Sequence, residues 1–182
     1  MSQQATIGRS LLLLWALTGK EEYLRKVTDI AIAIDRSLEE SGKDSYIWGV
    51  NFGHVSDSNP VADISHSTIT INFIDMVYKE GIAFTSCDIS KITTTIKRIF
   101  KNGRVTDRID GTGGCNYEIA AGQYAFLAQY DPKIWGLCYN ILFELYRVDL
   151  TGKYFQEDWW GTVMLGIARL ANNAIPIENW GK

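Results

Sequence analysis

Cysteine is scarce in this 182-residue chain and does not pair: Cys87, Cys115 and Cys138 are odd in number, widely spaced and without a Cys-x-x-Cys. A disulfide-built secreted module is excluded on that count. Proline is rarer than glycine, with 3 against 16, and Pro60, Pro132 and Pro176 leave long intervals in which helices run uninterrupted. Charge of one sign is missing as well. The balance of 18 basic and 21 acidic side chains gives a net charge of −3, and no stretch concentrates Lys and Arg as a phosphate-tracking surface requires, so nucleic acid is not an expected partner. Nor does any apolar run reach the roughly 18 to 20 residues needed to cross a bilayer. The apolar run Leu11 to Leu17 is short for a signal peptide and lacks a small-x-small cleavage site, so it reads as a buried helix. No membrane association is expected, and a cytoplasmic setting is favoured over a secreted one.

What the chain does contain is helical periodicity, each run ending at a glycine or a polar cluster. Ile7 to Thr18 is apolar on nearly all sides and is expected to be buried on most of them. Leu24, Val27, Ala31, Ile34 and Leu38 form one stripe that ends near Gly42. After Asp63 the inward set is Ile69, Phe73, Met76 and Val77, closed by Gly81; a strand over Ser67 to Phe73 is the lesser alternative. Ile89, Ile92, Ile96 and Ile99 define a fourth helix up to Gly103. A fifth, from about Tyr117 to Tyr130, contains Gly122 and is expected to pack closely on a neighbour. The sixth opens on Asp131-Pro132, a cap followed by proline, and buries Ile134, Leu137, Ile141 and Leu145. The seventh runs from about Asp158 to Asn172 and carries Trp159-Trp160, read as core or interface. The fold class is therefore all-α, in a single domain of helical hairpins over 1–182.

The corners between helices repeat. Leu17-Thr18-Gly19-Lys20-Glu21-Glu22-Tyr23-Leu24, Tyr78-Lys79-Glu80-Gly81-Ile82-Ala83-Phe84 and Leu150-Thr151-Gly152-Lys153-Tyr154-Phe155 each place a glycine after one helix and an aromatic at the start of the next segment. Their interval is that of two helices and a long loop, which makes the helical hairpin the repeating unit.

Those corners resemble the hairpin corners of the (α/α) toroids of six-hairpin glycosidase type, a superfamily of glycoside hydrolases, polysaccharide lyases and uronyl epimerases. Asp63-Ile64-Ser65-His66 at the head of a helix, Gly122-Gln123-Tyr124, and Tyr130-Asp131-Pro132-Lys133-Ile134-Trp135 look like further pieces of such toroids. The resemblance implies a partial toroid, since about seven helices stand where a closed ring has about twelve. An open ring implies that its edge is covered by another copy, as a homo-oligomer, or by the missing part of a longer toroid.

The loop of about twenty residues between the second and third helices is long enough to suggest function. It mixes Tyr46, Trp48 and Phe52 with Asn51 and His54, rings for sugar faces and polar groups for hydroxyls, so these residues are candidates for binding a carbohydrate ligand. His66 lies one helical turn after Asp63, where the positive end of a helix favours a neutral ring suited to a general base; the competing role is helix capping. Related lyases use an Asn to neutralise a uronate carboxylate, a His or Tyr to remove the C5 proton and a Tyr as acid. The resemblance thus assigns Asn51, His54, His66 and Tyr117 to those parts and implies a uronate lyase or epimerase-like activity. A glycoside hydrolase would instead use paired carboxylates, Asp63 and Glu118. The third alternative is a non-catalytic helical module that binds carbohydrate or protein. The glycine-rich Asp110-Gly111-Thr112-Gly113-Gly114-Cys115-Asn116 has no Gly-Lys-Ser/Thr, and the two histidines match no ligand spacing, so no nucleotide cofactor and no metal are expected.

Overall fold

Helical spacing becomes helix along most of the chain, and the ends are set by identifiable backbone devices. The structure, a computed structural model, describes residues 1–115, 118–149, 165–168 and 171, with Ile119 and 146–149 given by their backbone alone. It is mainly helical, with two small two-stranded sheets. Two compact units divide it, Met1–Thr95 and Ile96–Lys182. The seventh periodic run, with Trp159-Trp160, and the third corner at Gly152 lie largely or wholly outside the described residues.

In the first unit α1 (Ser2–Thr18) and α2 (Glu21–Asp35) form a hairpin, and α1 also packs on α3 (Ile64–Lys79). The corner between α1 and α2 turns at Gly19, whose φ of 65° lies in the left-handed region and whose N–H donates to the Trp15 carbonyl at 2.7 Å. The end of α3 repeats the device with a full Schellman motif: Gly81, φ 72°, donates to the Tyr78 carbonyl, and Ile82 donates to that of Val77. On α2 the stripe of Val27, Ala31 and Ile34 is buried, as its spacing requires. The helix stops at Asp35, earlier than the glycine at position 42 suggests. The chain instead pairs β1 (Glu39–Glu40) with β2 (Tyr46–Ile47) in an antiparallel ribbon.

α1 corrects an expectation. It buries only Ser2, Ala5, Gly8 and Leu12, while Ile7, Leu13, Leu14 and Leu17 are exposed. Its inner face is made of small residues because α3 comes close: a Cβ placed on Gly8 would stand 2.5 Å from the Phe73 ring. The large aliphatics are left on the outside.

α3 is helix and not strand, and it is buried almost all round. Ile64, Ile71, Phe73, Ile74 and Val77 are core, whereas Ile69 and Met76 are only half-buried. Its buried hydroxyls are satisfied within the helix, Ser67 Oγ donating to the Asp63 carbonyl and Thr68 Oγ1 to that of Ile64.

α4 (Ser86–Ile99) buries Ile89, Ile92, Ile96 and Ile99 at the spacing read from the sequence. It runs into β3 (Phe100–Lys101), which pairs with β4 (Arg104–Val105). The two residues between them, Asn102 and Gly103, have φ of 52° and 73°, the geometry of a type I′ hairpin turn.

The expected fifth helix is tighter than an α-helix. Glu118–Gln129 winds as a 3₁₀ helix, and Tyr117 lies outside the described residues. It packs on α5 (Lys133–Asp149), and the glycine within it does approach a neighbour, since a Cβ on Gly122 would meet the Gly166 Cα at 2.4 Å. Asp131 caps α5 by accepting from the Lys133 N–H at 3.0 Å and also accepts from Lys97 Nζ at 2.6 Å. Ile134, Cys138, Ile141 and Leu142 are the buried face of α5; Leu137 and Leu145 are half-buried.

Candidate functional site

The N-terminus of α3 is built as a small polar machine. Asp63 sits at the N-cap with extended backbone and accepts the His66 N–H at 3.0 Å, satisfying one of the free amides of the first turn. The same carboxylate accepts from Ser65 Oγ at 2.6 Å and lies 2.5 Å from His66 Nδ1. Partial burial raises the Asp63 carboxyl, but the hydrogen bonds from Ser65 and from the backbone and ring of His66 outweigh it and hold the group below the ordinary carboxylate range. An ionised Asp63 makes Nδ1 the protonated ring nitrogen, so Nε2 keeps its lone pair. The His66 side chain is 50 % exposed, which leaves Nε2 open to solvent. Capping and orientation of the imidazole are therefore performed by one carboxylate, and the two roles contrasted for His66 coexist.

The loop ahead of α3 is folded upon itself. The Ala62 N–H donates to the Trp48 carbonyl at 2.9 Å, Val50 donates to Pro60 at 3.0 Å, and Gly49 and Val61 form an antiparallel bridge. Asn59, buried, ties the tip together: its Oδ1 accepts the Asn51 N–H, and its Nδ2 lies within 3.3 Å of the carbonyls of Asn51, Gly53 and His54. Gly49 is required here because a Cβ would stand 2.3 Å from that amide group. The base of α1 joins the same stem through Met1 N, which donates to the Val50 carbonyl at 2.8 Å. Asn51, Phe52 and His54 are exposed on this frame. His54 is 87 % exposed, with Nδ1 3.6 Å from Glu39 Oε1, and Glu39 also accepts the Val55 N–H.

Two expected ligand contacts fall elsewhere. Trp48 is completely buried, because the loop folds over the largest apolar surface it owns, and it cannot offer a ring face to a sugar; its Nε1 has no partner among the described residues. Tyr46 is half-buried against α4. Its hydroxyl donates to Asp88 at 2.8 Å, its backbone N–H donates to Thr95 Oγ1 at 2.9 Å, and Lys91 Nζ stands 4.8 Å from the ring centroid. Burial first, and the Asp88 carboxylate second, push the phenol above its ordinary value. Tyr46 is a brace between ribbon and helix.

Glu118 belongs to the second unit, where it pairs with Arg104 Nε at 2.6 Å. Tyr117 lies outside the described residues. In the glycine-rich loop Asp107 accepts the Gly114 N–H at 2.5 Å and Asp110 accepts from Thr112, so its carboxylates close turns. Burial pushes the Cys138 thiol far up, and its sulfur lies 3.1 Å from the Ala121 carbonyl; it is packing, not a nucleophile. Among the described residues no cluster of three or more His, Cys, Asp or Glu is disposed to hold a metal ion, and no helix is long and apolar enough to cross a membrane.

Sequence reasoning missed Ser65, Glu39 and Asn59 as parts of this site. Ser65 was legible as the middle of an Asp-x-Ser-His cap, and Asn59-Pro60 as the closing turn of the loop; nothing in the sequence marks Glu39 as the neighbour of His54. Comparison with family models, with characterised proteins and with solved structures finds no match for the chain.

Proposed function

We propose that the chain is part of an (α/α) toroid acting on a uronic-acid polysaccharide or oligosaccharide, as a lyase or an epimerase, with His66 as the general base. The observation that carries this reading is the contact between Asp63 Oδ2 and His66 Nδ1, which fixes the tautomer and leaves an open Nε2. Corners with left-handed glycines at Gly19 and Gly81 support the hairpin frame on which such toroids are built.

In this mechanism His66 Nε2 takes the C5 proton of the uronate. The Asn51 carboxamide, exposed on a backbone held by Asn59, neutralises the sugar carboxylate as charge develops on it. In a lyase the C5 electron pair forms the C4–C5 double bond and expels the O4 glycosidic oxygen, which is protonated as it leaves; Tyr117 is the candidate acid. In an epimerase a proton returns to C5 from the opposite face. Paired-carboxylate hydrolysis fits less well, because its acid needs a raised pKa and Asp63 is held low.

The test is a panel of uronic polysaccharides assayed for the ultraviolet absorbance of an unsaturated product and for solvent deuterium entering C5. His66→Ala is expected to abolish either signal while leaving the fold intact. Asp63→Asn is the sharper variant: its Oδ1 still caps α3, but its NH₂ donates to Nδ1 and forces the ring proton onto Nε2, so turnover falls while stability is nearly kept. No turnover on any substrate, or turnover indifferent to both substitutions, overturns the reading.

A further inference from the structure

The outer face of α1 is patterned as a helix-pairing seam. Gln3, Ile7, Ser10, Leu14 and Leu17 are all exposed and recur at steps of four, three, four and three, the a/d spacing of a heptad. Leu13 flanks them, and the exposures are large, 54 % for Ile7, 56 % for Leu13 and 83 % for Leu17. Arg9 is the one charged residue of α1, and at 100° per residue it lies on the opposite side of the helix from Ile7. Apolar patches of a few hundred Å² at this degree of exposure mark interaction sites.

We propose that this face binds the same face of a second copy of the chain, α1 against α1 in antiparallel order about a two-fold axis near Leu12. In an antiparallel pair an a position faces a d position. Ile7 then meets Leu17 of the second copy, Ser10 meets Leu14, and both contacts recur by symmetry. Small Ser10 opposite Leu14 lets the helices approach closely at the centre, with two large aliphatics closing each end. Charge selects this occupant: a neutral stripe meets itself without repulsion, whereas a basic or acidic partner finds no counter-charge on it. A contact confined to one helix falls short of the roughly 800 Å² per partner of a standard stable interface, so the dimer is reversible and micromolar in strength.

Sedimentation equilibrium of the full chain over a range of concentrations is expected to show a monomer–dimer transition. Leu14→Glu together with Leu17→Glu is expected to weaken it ten-fold or more with unchanged circular dichroism and thermal midpoint. Geometry is tested in a background with Cys87 and Cys115 replaced by serine: mixing Ser10→Cys with Leu14→Cys copies should give mainly the mixed disulfide. A monomer at every concentration, a dimer indifferent to the glutamates, or cross-links only between like copies overturns the proposal, the first outcome leaving the seam to a segment of a longer chain.

Discussion

α1 and α3 are nearly equal in length, 17 and 16 residues, and both are dominated by apolar side chains, yet they end in opposite surroundings. α3 buries nine residues, four of them polar, while α1 buries four and turns its large aliphatics outward. Apolar content therefore does not measure burial in this molecule. What distinguishes the helices is the size of the residues at the contact between them: α1 presents Ala5 and Gly8, and α3 presents Phe73. Close approach by a small-residue face lets α3 sit between its neighbours and leaves the bulk of α1 for something else.

The contrast can be broken most strongly from the α3 side. Phe73→Ala is expected to cost about 3 to 5 kcal/mol, because the ring is fully buried and fills the space that Gly8 leaves; urea unfolding measures it. From the α1 side Gly8→Val is expected to cost about 1 to 3 kcal/mol, since the ring cannot withdraw from a packed core, and Phe73→Leu in the same chain should recover part of the loss.

Smaller effects sharpen the comparison at the helix ends. Asp63→Ala is expected to cost about 1 kcal/mol as a lost cap. α1 gives no such handle, having no side-chain cap. The Asp63 carboxyl is held below its unfolded value of 3.8. Its contribution is complete above that pH and is lost as pH falls through the lower folded value, so in the Asp63→Ala protein the acid limb of the stability curve should be flatter. Smallest of all, Leu17→Gln on α1 should stay within about 0.5 kcal/mol in dilute monomer, where the side chain is already in water.

Much of the fold was legible because side-chain period and backbone punctuation agreed. The isoleucines of α4 and the turn glycines Gly19 and Gly81 behave as their spacing and conformational freedom dictate. Asp63 and His66 could be placed as cap and first-turn residue for the same reason: capping is local. Other features depend on tertiary partners. Nothing local says that Trp48 is roofed over while Phe52 is not, or that α1 lies outermost. The 3₁₀ winding of Glu118–Gln129 was illegible because an alanine-rich run with few large side chains fits three residues per turn as well as 3.6. Asn102-Gly103 is a different case. The dipeptide is a strong hairpin signal, and it was obscured by reading Gly103 only as the stop of α4.

Asn59 has a consequence in time as well as in shape. One carboxamide reaches one N–H and three carbonyls across Asn51, Gly53 and His54, so those contacts cannot be released one by one. The loop opens as a unit or not at all, and the amide protons of Val50, Asn51 and Ala62 should exchange with solvent at a common rate. Asn59→Asp would remove the donors while keeping the acceptor, and that shared rate should split into separate, faster ones.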